Sequence, residues 1–407
     1  MKTLMCLYAG LLTLVVGAGT ALAQPEFNQV ERGRYLAVVG DCSACHTADP
    51  AKPFAGGFRI DTPFGALLGA NITPDVVTGL GTWTFGDFQR AMSEGIGHRG
   101  KRLYGAMPFT AYTKMTQQDD RDLWAYLQTL QPIANNVHTN QLPFPFNIRT
   151  SLLVWNWLNF NKGEFKPDPV QSALWNRGAY LVEGPGHCGT CHTPKNTLGG
   201  DKNSQFLRGN NLGVWWAPDI TNNNHTGIGQ WTNDDLVNYL RTGVNRFSIA
   251  SGPMAEEIEN SSRHWHDADL KAVAVYLKSV NSLQPSPLAL GASDSRMVAG
   301  KAIYSDNCSA CHNDSGTGEP GTFPRLAGNP LIRATNPTSL AHMVLTGGGR
   351  TGSTDSRPTA PAMPSFARDL NDQQVADVLT YIRNSWGNAA QPVKAAEVAR
   401  LRKNLQP

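Results

Sequence analysis

Six of the seven cysteines fall into three Cys-x-x-Cys pairs, and a histidine follows each pair at once. The three copies are Cys42-Ser-Ala-Cys45-His46, Cys188-Gly-Thr-Cys191-His192 and Cys308-Ser-Ala-Cys311-His312. The seventh, Cys6, sits in an N-terminal stretch with the features of an export leader: Lys2, an apolar run from Leu4 to Val16, and Ala21-Leu22-Ala23 before Gln24. That pattern predicts a signal peptide over residues 1–23, cleaved to leave residues 24–407. The apolar run is short for a membrane span. After cleavage no cysteine remains for a disulfide, although an exported chain could carry one. The chain must therefore organise itself around three sites of one kind.

Two thiols three positions apart on one helical turn can reach the two vinyl groups of a single porphyrin. The adjacent histidine then lies beneath the ring, where its imidazole can bind iron. The pattern reads as covalent attachment of c-type haem. Cys42, Cys45, Cys188, Cys191, Cys308 and Cys311 would form the thioethers, and His46, His192 and His312 would be the proximal ligands of three haem c groups. A thioredoxin-like pair would need a strand-to-helix setting and would not carry a histidine each time. A structural zinc would need further Cys or His ligands at finger-like spacing.

Repetition extends beyond the motifs. Arg32-Gly33-Arg34-Tyr35-Leu36 leads into the first, Arg177-Gly178-Ala179-Tyr180-Leu181 into the second, and a looser Ala299-Gly300-Lys301 with Tyr304 into the third. Downstream, Asn71-Ile72-Thr73 and Trp83-Thr84 are echoed by Asp219-Ile220-Thr221 and Trp231-Thr232. Each copy closes on a helix-like segment: Gln117–Leu130, His266–Val280 and Asn371–Trp386. The organisation read from this is a domain over 24–145, a Pro-bearing linker with a Trp-rich segment over 146–170, and a second domain over 171–283. A short linker over 284–295, a third domain over 296–390 and a polar tail over 391–407 complete it. No long alternating strand pattern appears, so the domains are expected to be mainly helical with many loops.

A methionine in a Gly/Pro-rich loop stands upstream of each closing segment: Met107 before Pro108, Met254 after Pro253, and Met363 before Pro364. Thioether sulfur is the common partner of histidine on haem iron, and a neighbouring proline restricts the loop that presents it. A lone methionine is more often a filler of core gaps, but three at matching positions point to iron. Met92, Met115 and Met343 lie in helix-like segments and read as packing. With three six-coordinate irons no position is open to substrate. No paired catalytic carboxylates, phosphate loop or nucleophile elbow is visible, so no catalytic residue is predicted. The formal charge of +3 is too small and too scattered for nucleic acid.

Taken together these motifs resemble the tri-haem cytochrome c subunits of bacterial membrane-associated dehydrogenases. The likeness is carried by Gly40-Asp41 before the first motif, Phe54-Ala-Gly-Gly57, Asn71-Ile-Thr-Pro74-Asp75 and Ala106-Met107-Pro108-Phe109. Further along it is carried by Gly184-Pro-Gly-His before the second motif, Leu326-Ala-Gly-Asn-Pro330, Leu370-Asn-Asp-Gln-Gln-Val-Ala-Asp377 and Ser385-Trp-Gly-Asn388. The resemblance implies a mainly α chain of three tandem class I cytochrome c domains that passes electrons and does no substrate chemistry of its own. It implies a catalytic dehydrogenase subunit bearing pyrroloquinoline quinone, FAD or molybdenum as donor, in some assemblies with a small third subunit, and ubiquinone as acceptor. It also implies a periplasmic location at the face of the inner membrane. A free-standing soluble carrier serving a terminal oxidase or reductase is the competing expectation. Two departures, a short connection between the second and third domains and a charged C-terminal segment, tilt the expectation toward a molybdenum-type, aldehyde-oxidising partner. Ser151 to Phe160, rich in Trp, is read either as a membrane-interface segment or as packing against a neighbour.

Overall fold

The computed structural model describes residues 27–282, 287–348 and 361–405, which leaves the predicted leader outside it. Three helical units follow one another. The first contains α1 (Phe27–Val39), α2 (Cys42–His46), a hairpin of β1 (Arg59–Thr62) and β2 (Gly65–Leu68), then α3 (Phe85–Glu94), α4 (Phe109–Tyr112) and α5 (Gln117–Leu127). Ile60 stands opposite Leu67 in the antiparallel hairpin, and β3 (Asn140–Gln141) adds to its β2 edge. A short α6 (Leu152–Asn159) follows. The second unit repeats the plan with α7 (Ala173–Glu183), α8 (Cys188–His192), an antiparallel hairpin of β4 (Arg208–Leu212) and β5 (Trp215–Asp219), α9 (Asn233–Thr242), α10 (Pro253–Asn260) and α11 (Asp267–Ser279). The third has α12 (Ser295–Asn307), α13 (Ser309–His312), α14 (Pro330–Arg333), α15 (Thr338–Thr346), α16 (Asp372–Arg383) and α17 (Ala395–Asn404).

The repeated glycine has a steric cause. In each unit the opening helix crosses the closing one at that residue. A Cβ on Gly33 would stand 1.9 Å from the Asp122 carbonyl oxygen; on Gly178, 2.0 Å from that of Ala272; on Gly300, 2.2 Å from that of Asp377. The Cβ of Tyr126, Tyr276 or Tyr381 closes the other side at 2.7–2.8 Å. Only glycine allows the two backbones so near. The arginine before it then reaches the closing helix: Arg32 Nε lies 2.7 Å from an Asp122 carboxylate oxygen, and Arg177 grips Asp269 with two bonds of 2.8 Å.

The Trp-Thr echo is a helix start. Thr84 caps α3 in a reciprocal box with Asp87, and Thr232 does the same for α9 with Asp235, satisfying amide donors that the first turn leaves unpaired. Gly95 and Gly243 end these helices in the left-handed conformation (φ 65° and 74°), which glycine adopts without a Cβ penalty. The closing helices start just after His266 and Asn371, which stand at their N-cap positions.

Each unit has its own apolar core. Leu36, Phe88, Met92, Tyr112, Met115 and Leu123 form the first, so Met92 and Met115 are packing residues. Tyr180, Leu181, Leu236, Leu270 and Val273 belong to the second, and Tyr304, Val375, Val378, Leu379 and Ile382 to the third. Beyond residue 390 the chain, read from sequence as a polar tail, forms α17. Val393, Val398 and Leu401 are buried in the third core, and Arg402 binds Asp372 and the carbonyls of Ala367 and Leu370. Its large apolar residues, Val398 and Leu401, are few among charged neighbours, which hid the amphipathic face.

The units touch through apolar and polar side chains alike: Val39 of the first is buried in the second core, and Val214 of the second packs on the third. Between the first two, Tyr35 donates to Asp269 at 2.7 Å and stacks on His266 with ring centroids 4.0 Å apart. Tyr180 donates to Asp119. Between the second and third, His225 Nε2 donates to the Ala389 carbonyl at 2.6 Å, and His342 Nδ1 to that of Val214 at 2.9 Å.

Candidate haem centres

Each Cys-x-x-Cys-His sequence forms one short helical turn: α2, α8, and α13 with Cys308 at its N-cap. Asp41 and His187, just before the first two, adopt left-handed backbone angles (φ 46° and 36°). That conformation is uncommon for residues with a side chain, and it turns the chain sharply out of α1 and α7. Among the described residues no disulfide joins any of the six cysteines.

The three histidines are oriented alike. His46 Nδ1 lies 2.6 Å from the carbonyl oxygen of Ala70, His192 Nδ1 2.8 Å from that of Pro218, and His312 Nδ1 3.0 Å from that of Pro324. A carbonyl can only accept, so Nδ1 carries the proton and Nε2 is left with its lone pair, the tautomer that metal-binding imidazoles use. Burial pushes each imidazole below its usual pKa, against the opposing pull of that carbonyl, so the rings stay neutral.

Sequence reading missed these carbonyls, but their signal was there. Ala70 and Pro218 immediately precede the Asn71-Ile-Thr and Asp219-Ile-Thr echoes. Asn71 Oδ1 accepts from the Thr73 amide at 3.0 Å, and Asp219 Oδ1 from that of Thr221 at 2.8 Å. The echo is thus a side-chain-locked turn that fixes the carbonyl facing the histidine. In the first unit Gly69 belongs to the same contact, since a Cβ there would stand 1.7 Å from the Cys45 carbonyl oxygen.

Cys42 and Met107 both pack against the first apolar core, and Cys308 and Met363 both pack against the third. Met107 and Met363 lie in loops, and Met363 is tied at both N–H and C=O to Gly348 (2.9 and 2.8 Å). Met254 differs from the loop expectation, for it sits in the first turn of α10 behind Pro253. Proline suits that position because its missing N–H would have been unpaired there.

Burial pushes the thiols of Cys42 and Cys188 up to about 12 and that of Cys308 to about 11. The residues do fit haem. The thiol and imidazole donors stand at the edge of apolar cores. Trp231 Nε1 and Arg325 Nε are buried donors without an acceptor among the described residues, and a haem brings propionate carboxylates of the kind they lack. Two buried acids were also unforeseen. Asp41 is raised to about 8 by burial and by the neighbouring charge of Glu257, which burial raises to about 7.

Such a fold and such turns define a c-type cytochrome. The cytochrome c family pattern matches residues 30–131 and 297–386, the first and third units. The chain is 38% identical over 427 residues to the gluconate 2-dehydrogenase cytochrome c subunit of Pantoea cypripedii, spanning 99% of this chain and 96% of that one. It is 37% identical over 424 residues to an alcohol dehydrogenase (quinone) cytochrome c subunit of Gluconobacter oxydans, covering 98% and 87%. The fructose dehydrogenase cytochrome subunit of Gluconobacter japonicus is 38% identical over 404 residues, covering 92% and 82%. The chain belongs to the cytochrome c family, in the group of dehydrogenase cytochrome subunits, and it carries covalently bound haem c.

Proposed function

We propose that this chain is the electron-carrying subunit of a dehydrogenase complex at the periplasmic face of the inner membrane. It binds three haem c groups and takes electrons from a catalytic subunit of pyrroloquinoline quinone, FAD or molybdenum type. Ubiquinone receives them. The observation that carries the reading is the near full-length match to a gluconate 2-dehydrogenase cytochrome c subunit. Names among the relatives span gluconate, alcohol and fructose, so the substrate is left open.

Residues are assigned by their places in the three repeats. Cys42 with Cys45, Cys188 with Cys191, and Cys308 with Cys311 would hold the groups covalently. His46 with Met107, His192 with Met254, and His312 with Met363 would occupy the two faces of iron. When bound, the group supplies one-electron oxidation and reduction. The chain's own part is positional. Carbonyls of Ala70, Pro218 and Pro324 hold the three imidazoles in one tautomer, the cores keep water away, and the contacts between units fix the sites relative to one another.

Purification under mild detergent tests this. Three haems per chain, co-elution with a dehydrogenase subunit, haem reduction on adding that subunit's substrate, and reoxidation by a soluble ubiquinone analogue are expected. A chain that elutes alone and is not reduced by any dehydrogenase of its source would overturn the reading in favour of a free-standing carrier.

A further inference from the structure

Helix α6 has two unlike faces. Inward, Leu152 is buried, and the Trp155 indole covers Gly105 beside the Met107 loop, meets the Phe109 ring edge-on at 6.2 Å, and donates from Nε1 to the Leu198 carbonyl at 2.7 Å. The helix therefore straps the first unit to the second. Outward, Leu153, Val154, Trp157 and Leu158 recur at one face's spacing and are 48, 58, 82 and 54% exposed. Phe144 and Ile148, in the approach to the helix, extend the surface at 78 and 45%. Scattered exposed apolar residues are ordinary, but a contiguous set marks a contact surface.

The acids that border that face are paired, Asp61 with Arg59 at 2.8 Å and Asp87 with Arg90 at 2.7 Å, which leaves its charge positive. No Asp or Glu occurs between Glu94 and Asp119, or between Asp122 and Glu164, and these two stretches build the surface. Glu94 is itself neutralised by Lys162 at 2.6 Å. Arg99, Lys101, Arg102 and Arg149 have no carboxylate partner among the described residues. They lie together: Arg149 donates to the Arg102 carbonyl at 2.5 Å, covers the Tyr104 ring at 4.6 Å, and is near enough to Lys101 to repel its charge. Tyr104 in turn donates to the Phe146 carbonyl at 3.0 Å, which joins the basic loop to the apolar approach.

The geometry points to an anionic phospholipid surface as the partner of this face, with α6 lying in the plane of the headgroups. Trp157 and its aliphatic neighbours enter the boundary of the acyl chains, where tryptophan is favoured. The unneutralised cations beside them meet lipid phosphates, each adding attraction that falls with salt. A protein partner would be expected to present carboxylates to these cations; a lipid surface supplies the negative charge without them.

The inference rests on the membrane-facing location proposed above, and its test does not depend on electron transfer. The haem-loaded full chain is floated with vesicles of mixed phosphatidylglycerol and phosphatidylcholine, and with phosphatidylcholine alone. Binding to the mixed vesicles, weaker binding to the neutral ones and loss in high salt are expected. A Trp157→Ser/Leu158→Ser variant and an Arg99→Gln/Lys101→Gln/Arg102→Gln variant should each bind roughly tenfold less, with unchanged reduced-haem spectra and circular dichroism. Trp157→Phe should retain most binding. A wild-type chain that ignores both vesicle types overturns the proposal, as does either multiple variant binding like wild type. Lost co-elution of a catalytic subunit with vesicle binding intact would also overturn it, by making the face a protein interface. Each of these results leaves the electron-carrier reading standing.

Discussion

Tyr35, on the opening helix of the first unit, donates its hydroxyl to Asp269, on the closing helix of the second, at 2.7 Å. The same carboxylate takes the fork of Arg177. One acid therefore closes its own unit and ties it to the neighbour. Burial alone would raise its pKa, but the Arg177 and Tyr35 bonds outweigh burial and hold it below the ordinary value.

Asp269→Asn should cost about 2 kcal/mol at neutral pH, because it weakens the Arg177 bonds and the clasp between units. A depressed carboxylate stabilises above its unfolded pKa, and that gain is lost as pH falls through the folded value. The gap between variant and wild type should therefore narrow on acidification. Denaturant titrations at pH 7 and in acid measure it.

Asp120 predicts the opposite trend. It is 2% exposed and its Oδ1 has no hydrogen-bond partner among the described residues. Burial first, then the charges of Asp119 and Glu164, raise it from 3.8 to about 8. Between these values the folded chain holds a proton that the unfolded chain has released, so stability falls as pH rises across the window. Asp120→Asn should flatten that decline, as read from thermal midpoints over the same range.

Gly178→Ala places a methyl 2.0 Å from the Ala272 carbonyl oxygen. The two helices cannot separate without opening the second core, so a loss of about 2 kcal/mol is expected. Gly213→Ala, where nothing stands within 4 Å of the added carbon but φ is 78°, should cost less, about 1 kcal/mol. Chemical denaturation of both variants makes the comparison.

Replacing Met107, Met254 or Met363 by Ala should each convert one third of the low-spin iron to a high-spin or water-ligated form and remove the corresponding share of the Met–iron band. Optical and magnetic spectra read this directly. An unchanged spectrum from any one of them would remove that methionine from the ligand set.

Much of this molecule was legible in its repeats. Gly33, Gly178 and Gly300 recur because two backbones meet there, and Thr84 and Thr232 because they cap α3 and α9. What stayed hidden depended on distant partners or on sparse patterns. The Tyr35–Asp269 bond joins residues far apart in sequence. Val398 and Leu401, which seat α17 in the third core, are too few to show a helical stripe. The hairpins of β1–β2 and β4–β5 are too short for alternation to stand out. Sequence placed Trp155 and Trp157 in one apolar segment, but only the fold shows that one is spent inside and the other points out.

One contact bears on how such a carrier keeps time. His187, next to the second Cys-x-x-Cys-His turn, donates from Nε2 to the carbonyl of Gly40, two residues before the first, at 3.1 Å. The two turns are clasped where they begin, so haems held at both would be spaced by this local contact rather than by the long connecting segment. With a haem at each turn as proposed, a charge crossing from one unit to the next should thus travel at a rate indifferent to solvent viscosity, as within a solid rather than between colliding molecules.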